Sequence, residues 1–199
     1  MTMPFPAPLR IFKNIIGGLQ KPYYCVPGNH DIGSKPTAES LQAYRKAFGR
    51  DYFAVEHKGA AFLFVNTQLW KESLEGESEK HHRWLQERLT KAFDKKLQIF
   101  VVGHYPLFIK SPHEPDEYMN LPRDKRMELL DLFERCNVAA YLGGHMHKLT
   151  MNRYKQMQLV NAEALSKNFD GRPLSFRIWY VQPPLPPRSE FIALDKNNP

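Results

Sequence analysis

Apolar residues recur along this chain in two rhythms, one of helical spacing and one of short unbroken runs. Ile11, Phe12, Ile15, Ile16 and Leu19 fall three and four residues apart, which predicts a helix over Leu9–Leu19 weakened at its end by Gly17 and Gly18. The same spacing predicts helices over Thr37–Phe48, Ser78–Phe93 and Pro122–Arg135. Thr37 is placed to cap the first of these and Gly49 to stop it, while Pro122 stands in the first turn of the last. The inward line of Ser78–Phe93 reads His81, Trp84, Leu85, Leu89 and Phe93, and that of Pro122–Arg135 reads Leu129, Leu130 and Phe133. Strand-length runs occupy Tyr23–Val26, Tyr52–Val55, Ala60–Val65, Leu97–Val102, Val138–Leu142, Met157–Asn161 and Phe176–Val181, with Phe191–Leu194 as a last one. Leu97–Val102 is almost continuously apolar, as expected of a strand covered on both faces. Four prolines in Gln182–Pro187 mark a loop between the last two strands. Helices alternating with buried strands predict a layered α/β architecture that finishes in an antiparallel section. No linker divides it, so residues 1–199 read as a single domain.

Composition narrows the choice of function. With 42% hydrophobic and 25% charged residues the chain is an ordinary globular sequence, which excludes wholesale disorder. Cys25 and Cys136 are the only cysteines and form no C-x-x-C, so neither a disulfide framework nor a cysteine zinc site is expected. The net charge of +7 suits anionic substrates. Lys91, Lys95, Lys96, Arg123, Lys125 and Arg126 lack an interleaved aromatic platform, so they read as a solvated face and no nucleic-acid partner is expected. No apolar run approaches the length of a membrane span, and Pro4, Pro6 and Pro8 followed by Arg10 and Lys13 interrupt any leader-like segment. The expectation is a cytoplasmic chain without a membrane partner.

Three histidine-bearing segments carry the candidate chemistry. Gly28-Asn29-His30-Asp31, Gly103-His104 and Gly144-His145-Met146-His147 each follow a predicted buried strand, where open α/β sheets build their ligand sites. Glycine lets the chain turn there and aim the next side chain into the crevice. Imidazoles and an amide oxygen are ligands for zinc, iron, manganese and similar ions. His145 and His147 lie two positions apart, so in an extended segment both face one side and can serve one ion or two neighbouring ones. His57, His81, His82 and His113 stand in polar, unpatterned contexts and read as ordinary hydrogen-bonding residues.

The ordered set of these three motifs, spaced 75 and 41 residues apart, resembles the calcineurin-like metallophosphoesterase superfamily. Val26–Gly33, Pro36–Glu39 and Asp51-Tyr52-Phe53 resemble its branch of calcineurin-like phosphoesterase domain-containing proteins, related to the purple acid phosphatases. Asn66-Thr67-Gln68, Trp84-Leu85 and Pro173–Ile178 fit the same branch more loosely, so the resemblance runs from Pro22 to Leu194. It implies a layered metallophosphoesterase-type β-sandwich flanked by helices. It also implies a site of two divalent or trivalent metal ions, whether Fe, Mn, Zn or Mg. Asn29, His104 and His145 would hold one ion and His147 the other. His30 would act on a phosphate oxygen or the leaving alcohol, and Asp31 would orient His30 or cap the turn. Gly28 and Gly144 would be geometric. The implied activity is phosphoester hydrolysis, preferably of a monoester, by attack of a metal-bound hydroxide on phosphorus. The substrate would be a phosphorylated small molecule or phosphoprotein. A phosphodiesterase and a non-catalytic remnant working through partners are the alternatives.

The sequence departs from the superfamily in one respect. The D-x-H and G-D-x-x-N/D motifs expected upstream of Gly28 have no counterpart, and the 27 residues before Gly28 contain no Asp, Glu or His. These residues therefore read as a domain lacking its first βαβ portion. The expectation is at most one loosely held metal, turnover near background, and an open sheet edge at Tyr23–Val26 that invites self-association. Asp31 and Glu163 are the first candidates for a replacement carboxylate.

Overall fold

A computed structural model describes residues 6–194. Pro4, one of the prolines weighed against a leader, lies outside them. The helices are α1 (Pro6–Gly17), α2 (Asn29–Ile32), α3 (Ala38–Phe48), α4 (Gln68–Lys71), α5 (Glu77–Asp94) and α6 (Arg123–Arg135). The strands are β1 (Phe53–His57), β2 (Ala60–Phe64), β3 (Gln98–Val102), β4 (Val138–Gly143), β5 (Thr150–Tyr154), β6 (Met157–Asn161), β7 (Ser175–Tyr180) and β8 (Arg188–Ala193). Six of them form one sheet in the order β1-β2-β3-β4-β6-β5. The inner strands β2, β3, β4 and β6 run parallel, and β1 and β5 close the two edges antiparallel. β7 and β8 form a separate antiparallel ribbon.

Alternation of side chains along the strands sorts the core into two faces. Ala61, Leu63, Ile99, Val101, Tyr141 and Leu159 pack with Leu85 and Leu89 of α5 and Leu129 and Phe133 of α6. Ala60, Phe62, Phe100, Ala140 and Leu142 point the other way, under Trp179 of β7 and the following Val181. The result is helices, sheet and ribbon in three layers. It is the layered α/β arrangement expected, and it explains why β3 reads as continuously apolar.

Local chemistry fixes the helix ends. Thr37 Oγ1 accepts from Ser40 N at 3.2 Å while Ser40 Oγ accepts from Thr37 N at 2.9 Å, and Gly49, at φ +90°, terminates α3. In α5 the inward line runs His81, Leu85, Leu89 and Ala92, and Phe93 is 48% exposed. Each four-residue step overshoots a helical turn by about 40°, so three steps from His81 carry Phe93 off the buried face. His81 itself is fully buried, not polar-facing, because the rings of Trp70, Tyr52 and Trp84 enclose it.

Tyr23–Val26 forms no strand. Tyr23 and Tyr24 are about half exposed, and the Tyr24 ring lies against Phe53 and Phe64 at 5.7 and 5.3 Å. The apolar run is accommodated by ring packing rather than by a ladder, so the sheet edges are β1 and β5 and the open edge expected at Tyr23–Val26 does not exist. The sequence pattern does not foretell β5, because Thr150, Asn152 and Arg153 make it polar on both faces. Among the described residues, no helix is long and apolar enough to cross a membrane.

Candidate metal centre

The site forms where the loops after β3 and β4 meet the turn that opens α2. Gly103 ends β3 under tight constraint: a Cβ there would lie 2.6 Å from Thr67 Cγ2 and 2.8 Å from the Tyr141 hydroxyl. Only glycine lets the strand pass so close and deliver His104. The two histidine loops are tied directly, since Gly144 N–H donates to the His104 carbonyl at 2.9 Å.

The Asn29 turn is held from several directions. Gly28 is extended, and its N–H donates to Asp31 Oδ2 at 2.7 Å. Asp31 therefore serves as the turn cap. The fully buried Gln68, with its amide oriented to satisfy both ends, donates to the Pro27 carbonyl at 3.1 Å and accepts from Asn29 N–H at 2.7 Å. Behind it, Asn66 accepts from Gln68 N–H and donates to the buried Asp51, which Arg45 grips through Nε at 2.7 Å. Residues that fit the family branch only loosely in sequence thus build the scaffold of the turn.

Three donor atoms converge at its tip. Asn29 Oδ1 lies 2.8 Å from His104 Nε2 and 3.2 Å from His145 Nδ1, and the two ring nitrogens are 3.1 Å apart. Ligands about 2.1 Å from one ion at right angles stand about 3 Å apart, so this triad has the spacing that a small divalent cation requires. Burial pushes the His104 imidazole down to about 3, with His145, His30 and His147 adding to it. Burial likewise pushes His145 to about 4, followed by the charges of Lys71, His147 and His30. Both rings are neutral near pH 7, the state in which imidazole binds metal. Among the described residues, no group of three or more His, Cys, Asp or Glu is arranged to hold an ion, because the third donor here is an amide.

His145 and His147 are not extended. Both adopt left-handed backbone, at φ 66° and 52°, which aims them differently. His147 Nδ1–H donates to the Lys167 carbonyl at 2.8 Å and the ring stacks on Phe169. That bond leaves the lone pair on Nε2, as a backbone carbonyl does for many ligating histidines. His147 is not part of the converging triad. His30 is exposed at the start of α2, near enough for its charge to act on both His104 and His145. Gly144 leaves 4.0 Å between a notional Cβ and His104 Nδ1, so it gives the ring ordinary clearance. Glu163 is fully buried with both oxygens on Arg177, at 3.0 Å each, and its Oε1 also meets Arg172 at 3.4 Å.

Two neighbours have no signal in the sequence. Tyr118 accepts from Asn29 Nδ2 at 2.9 Å and faces the His145 ring at 5.2 Å. Tyr105 packs its ring 4.2 Å from His145. Both sit in an aperiodic loop whose residue types carry no metal-directed pattern.

The family described as calcineurin-like phosphoesterase matches residues 5–149. The serine/threonine-protein phosphatase CPPED1 of Rattus norvegicus is 35% identical over 147 residues, covering 72% of this chain and 47% of that protein. A probable glycerophosphodiester phosphodiesterase GpdQ of Arcobacter nitrofigilis is 26% identical over 165 residues, 79% of this chain and 57% of that protein. The chain spans about half the length of the curated relatives it matches. A solved structure of a dimetal phosphatase from Danio rerio shares the fold at a TM-score of 0.51 and 12% identity, over 70% of this chain and 60% of that one.

Proposed function

The chain belongs to the calcineurin-like phosphoesterase family, and on that premise we propose that its histidine loops serve metal-dependent hydrolysis of phosphoesters, with phosphomonoesters preferred. The observation that carries the reading is the convergence of Asn29 Oδ1, His104 Nε2 and His145 Nδ1 within 2.8–3.2 Å. Metal ions bound at such loops activate water and neutralise charge on the phosphoryl group. The residues do the rest. Asn29, His104 and His145 would hold one cation, and His147, whose Nδ1 is engaged by the Lys167 carbonyl, would offer Nε2 to a second. His30, exposed beside them, would hydrogen-bond a phosphate oxygen or protonate the leaving alcohol. The substrate class is a phosphorylated small molecule or a phosphoprotein. The identity to CPPED1 phosphatases supports the monoester preference.

The triad is neutral, and Asp31 and Glu163 are engaged elsewhere. Residues 1–199 by themselves should therefore hold a divalent ion loosely and turn over near background, since two imidazoles and an amide bring no negative charge to offset the cation's lost hydration. The likeness to GpdQ favours a phosphodiesterase as the second reading. Rates on p-nitrophenyl phosphate and bis(p-nitrophenyl) phosphate separate the two, with Mn²⁺ or Fe²⁺ supplied. The measurement is made on this chain and on one extended by D-x-H and Gly-Asp segments. Faster turnover of the monoester supports the proposal. Preference for the diester gives the second reading, and absence of metal together with absence of turnover in the extended chain makes the protein non-catalytic.

A further inference from the structure

We propose that Tyr118 is a positioning residue that sets the amide of Asn29 so that its oxygen, rather than its nitrogen, faces the imidazole pair. The inference rests on the reading of Asn29 as a metal-directed donor. An asparagine side chain is planar, so fixing one end fixes the other. Asn29 Nδ2 donates to the Tyr118 hydroxyl at 2.9 Å, and the opposite end, Oδ1, then lies on His104 Nε2 and His145 Nδ1. The Asn29 backbone N–H is separately held by Gln68, which leaves rotation about the side-chain bonds as the freedom that Tyr118 removes.

A positioning group must itself be held, and Tyr118 is 53% exposed. Its loop supplies the rigidity. Glu114 accepts the backbone N–H groups of Ile109, Lys110 and Ser111 at 2.8, 2.7 and 3.1 Å. The fully buried Arg126 donates to the carbonyls of Pro112, Glu114 and Leu121 at 2.9, 2.9 and 2.8 Å. Lys71 Nζ bridges the carbonyls of Glu117 and Asn120, on either side of Tyr118, at 2.5 and 2.6 Å. Asn120, itself buried, accepts from Glu117 N–H at 2.9 Å and donates to Glu114 and Pro115. A half-buried lysine, a buried arginine and a buried asparagine thus fix a loop that has no regular structure of its own. The ring it carries ends on Asn29.

The test compares the isotope-labelled 199-residue chain with its Tyr118→Phe variant, which keeps the exposed ring and removes only the hydroxyl. Without metal, the exchange rate of the Asn29 Nδ2 protons is read by NMR. Mn²⁺ is then titrated while the His104 and His145 ring signals are followed for paramagnetic broadening. Expected are faster exchange in the variant and a Mn²⁺ requirement raised about 10-fold, as when a partner that orients a metal ligand is removed. The melting temperature should move by no more than a degree or two, which a merely structural role would not allow. Unchanged exchange overturns the proposal, and so does faster exchange with an unchanged Mn²⁺ titration. If Mn²⁺ broadens neither ring in the parent chain, the metal reading under the proposed function fails. The exchange rates still decide whether Tyr118 sets the amide.

Discussion

The imidazole of His104 lies against the backbone of Gly28 so closely that a Cβ on Gly28 would stand 2.9 Å from Cε1 and 3.1 Å from Nδ1. The two residues are 76 positions apart, and the contact locks the Asn29 turn to the loop after β3. Gly28 has ordinary extended backbone, so the requirement for glycine is purely steric. Gly28→Ala should therefore cost about 1–3 kcal/mol in urea unfolding, the usual range for overpacking. It should also weaken any metal binding that uses His104. Gly144→Ala meets nothing nearer than 4.0 Å and should leave both nearly unchanged. Equal effects from the two would mean that the ring moves aside freely.

His81 predicts a stability slope on the acid side. It is fully buried, neither ring nitrogen has a partner, and burial pushes it down to about 3, with His82 and Lys125 adding smaller effects. The unfolded chain takes up a proton near pH 6.5 while the folded chain does not. Stability is thus complete above about 6.5 and falls as pH drops toward 3, by up to about 1.4 kcal/mol per unit from this group. His104 and His145 act in the same direction, so the measurement is a difference. Urea unfolding from pH 7 to 4.5 should show a shallower decline in His81→Leu than in the parent. Parallel curves would place the proton elsewhere.

Much of this arrangement is legible in the sequence because it depends on periodicity. Thr37 and Gly49 bound α3 as their chemistry dictates, and Leu129, Leu130 and Phe133 face the core. Gly103-His104 and Gly144-His145 come together because both follow parallel strands of one sheet. What the pattern misses lacks a period. Tyr23–Val26 has the composition of a strand, but strandhood requires a neighbour with which to pair. The left-handed turns at His145 and His147 and the aim of Tyr118 arise from tertiary contacts that two-residue spacing cannot express. Asp31 left two roles open in the sequence, and the Gly28 N–H on its Oδ2 displays the cap.

Glu163 should prove structural. Its carboxylate is fully buried between Arg177, 8% exposed, and the half-exposed Arg172. Removing one partner of a buried ion pair costs about 3–5 kcal/mol, and Gln, which keeps hydrogen bonds, should fall at the low end. Glu163→Gln should lower the unfolding free energy while leaving Mn²⁺ affinity unchanged. A loss of metal affinity without loss of stability would make Glu163 a ligand after all.

The sharpest division is between His30 and its neighbours. Donor atoms of Asn29, His104 and His145 converge within 2.8–3.2 Å of one another, so under the proposed function altering any one would remove a donor from the same cation. His30 is exposed one residue from Asn29, and its ring is absent from that junction. In a chain extended by D-x-H and Gly-Asp segments, Asn29→Ala, His104→Ala and His145→Ala should lower metal content first and activity as a consequence. His30→Ala should retain its metal and turn over about 100-fold more slowly, the lower range for losing a general acid. The defect should shrink for leaving groups that need no proton, such as p-nitrophenolate, and grow for aliphatic alcohols. Elemental analysis beside kinetics on the two substrate types reads both effects. Equal metal loss in all four variants would make His30 a ligand, and an equal rate defect for both leaving groups would mean that it binds the phosphoryl oxygens without supplying a proton.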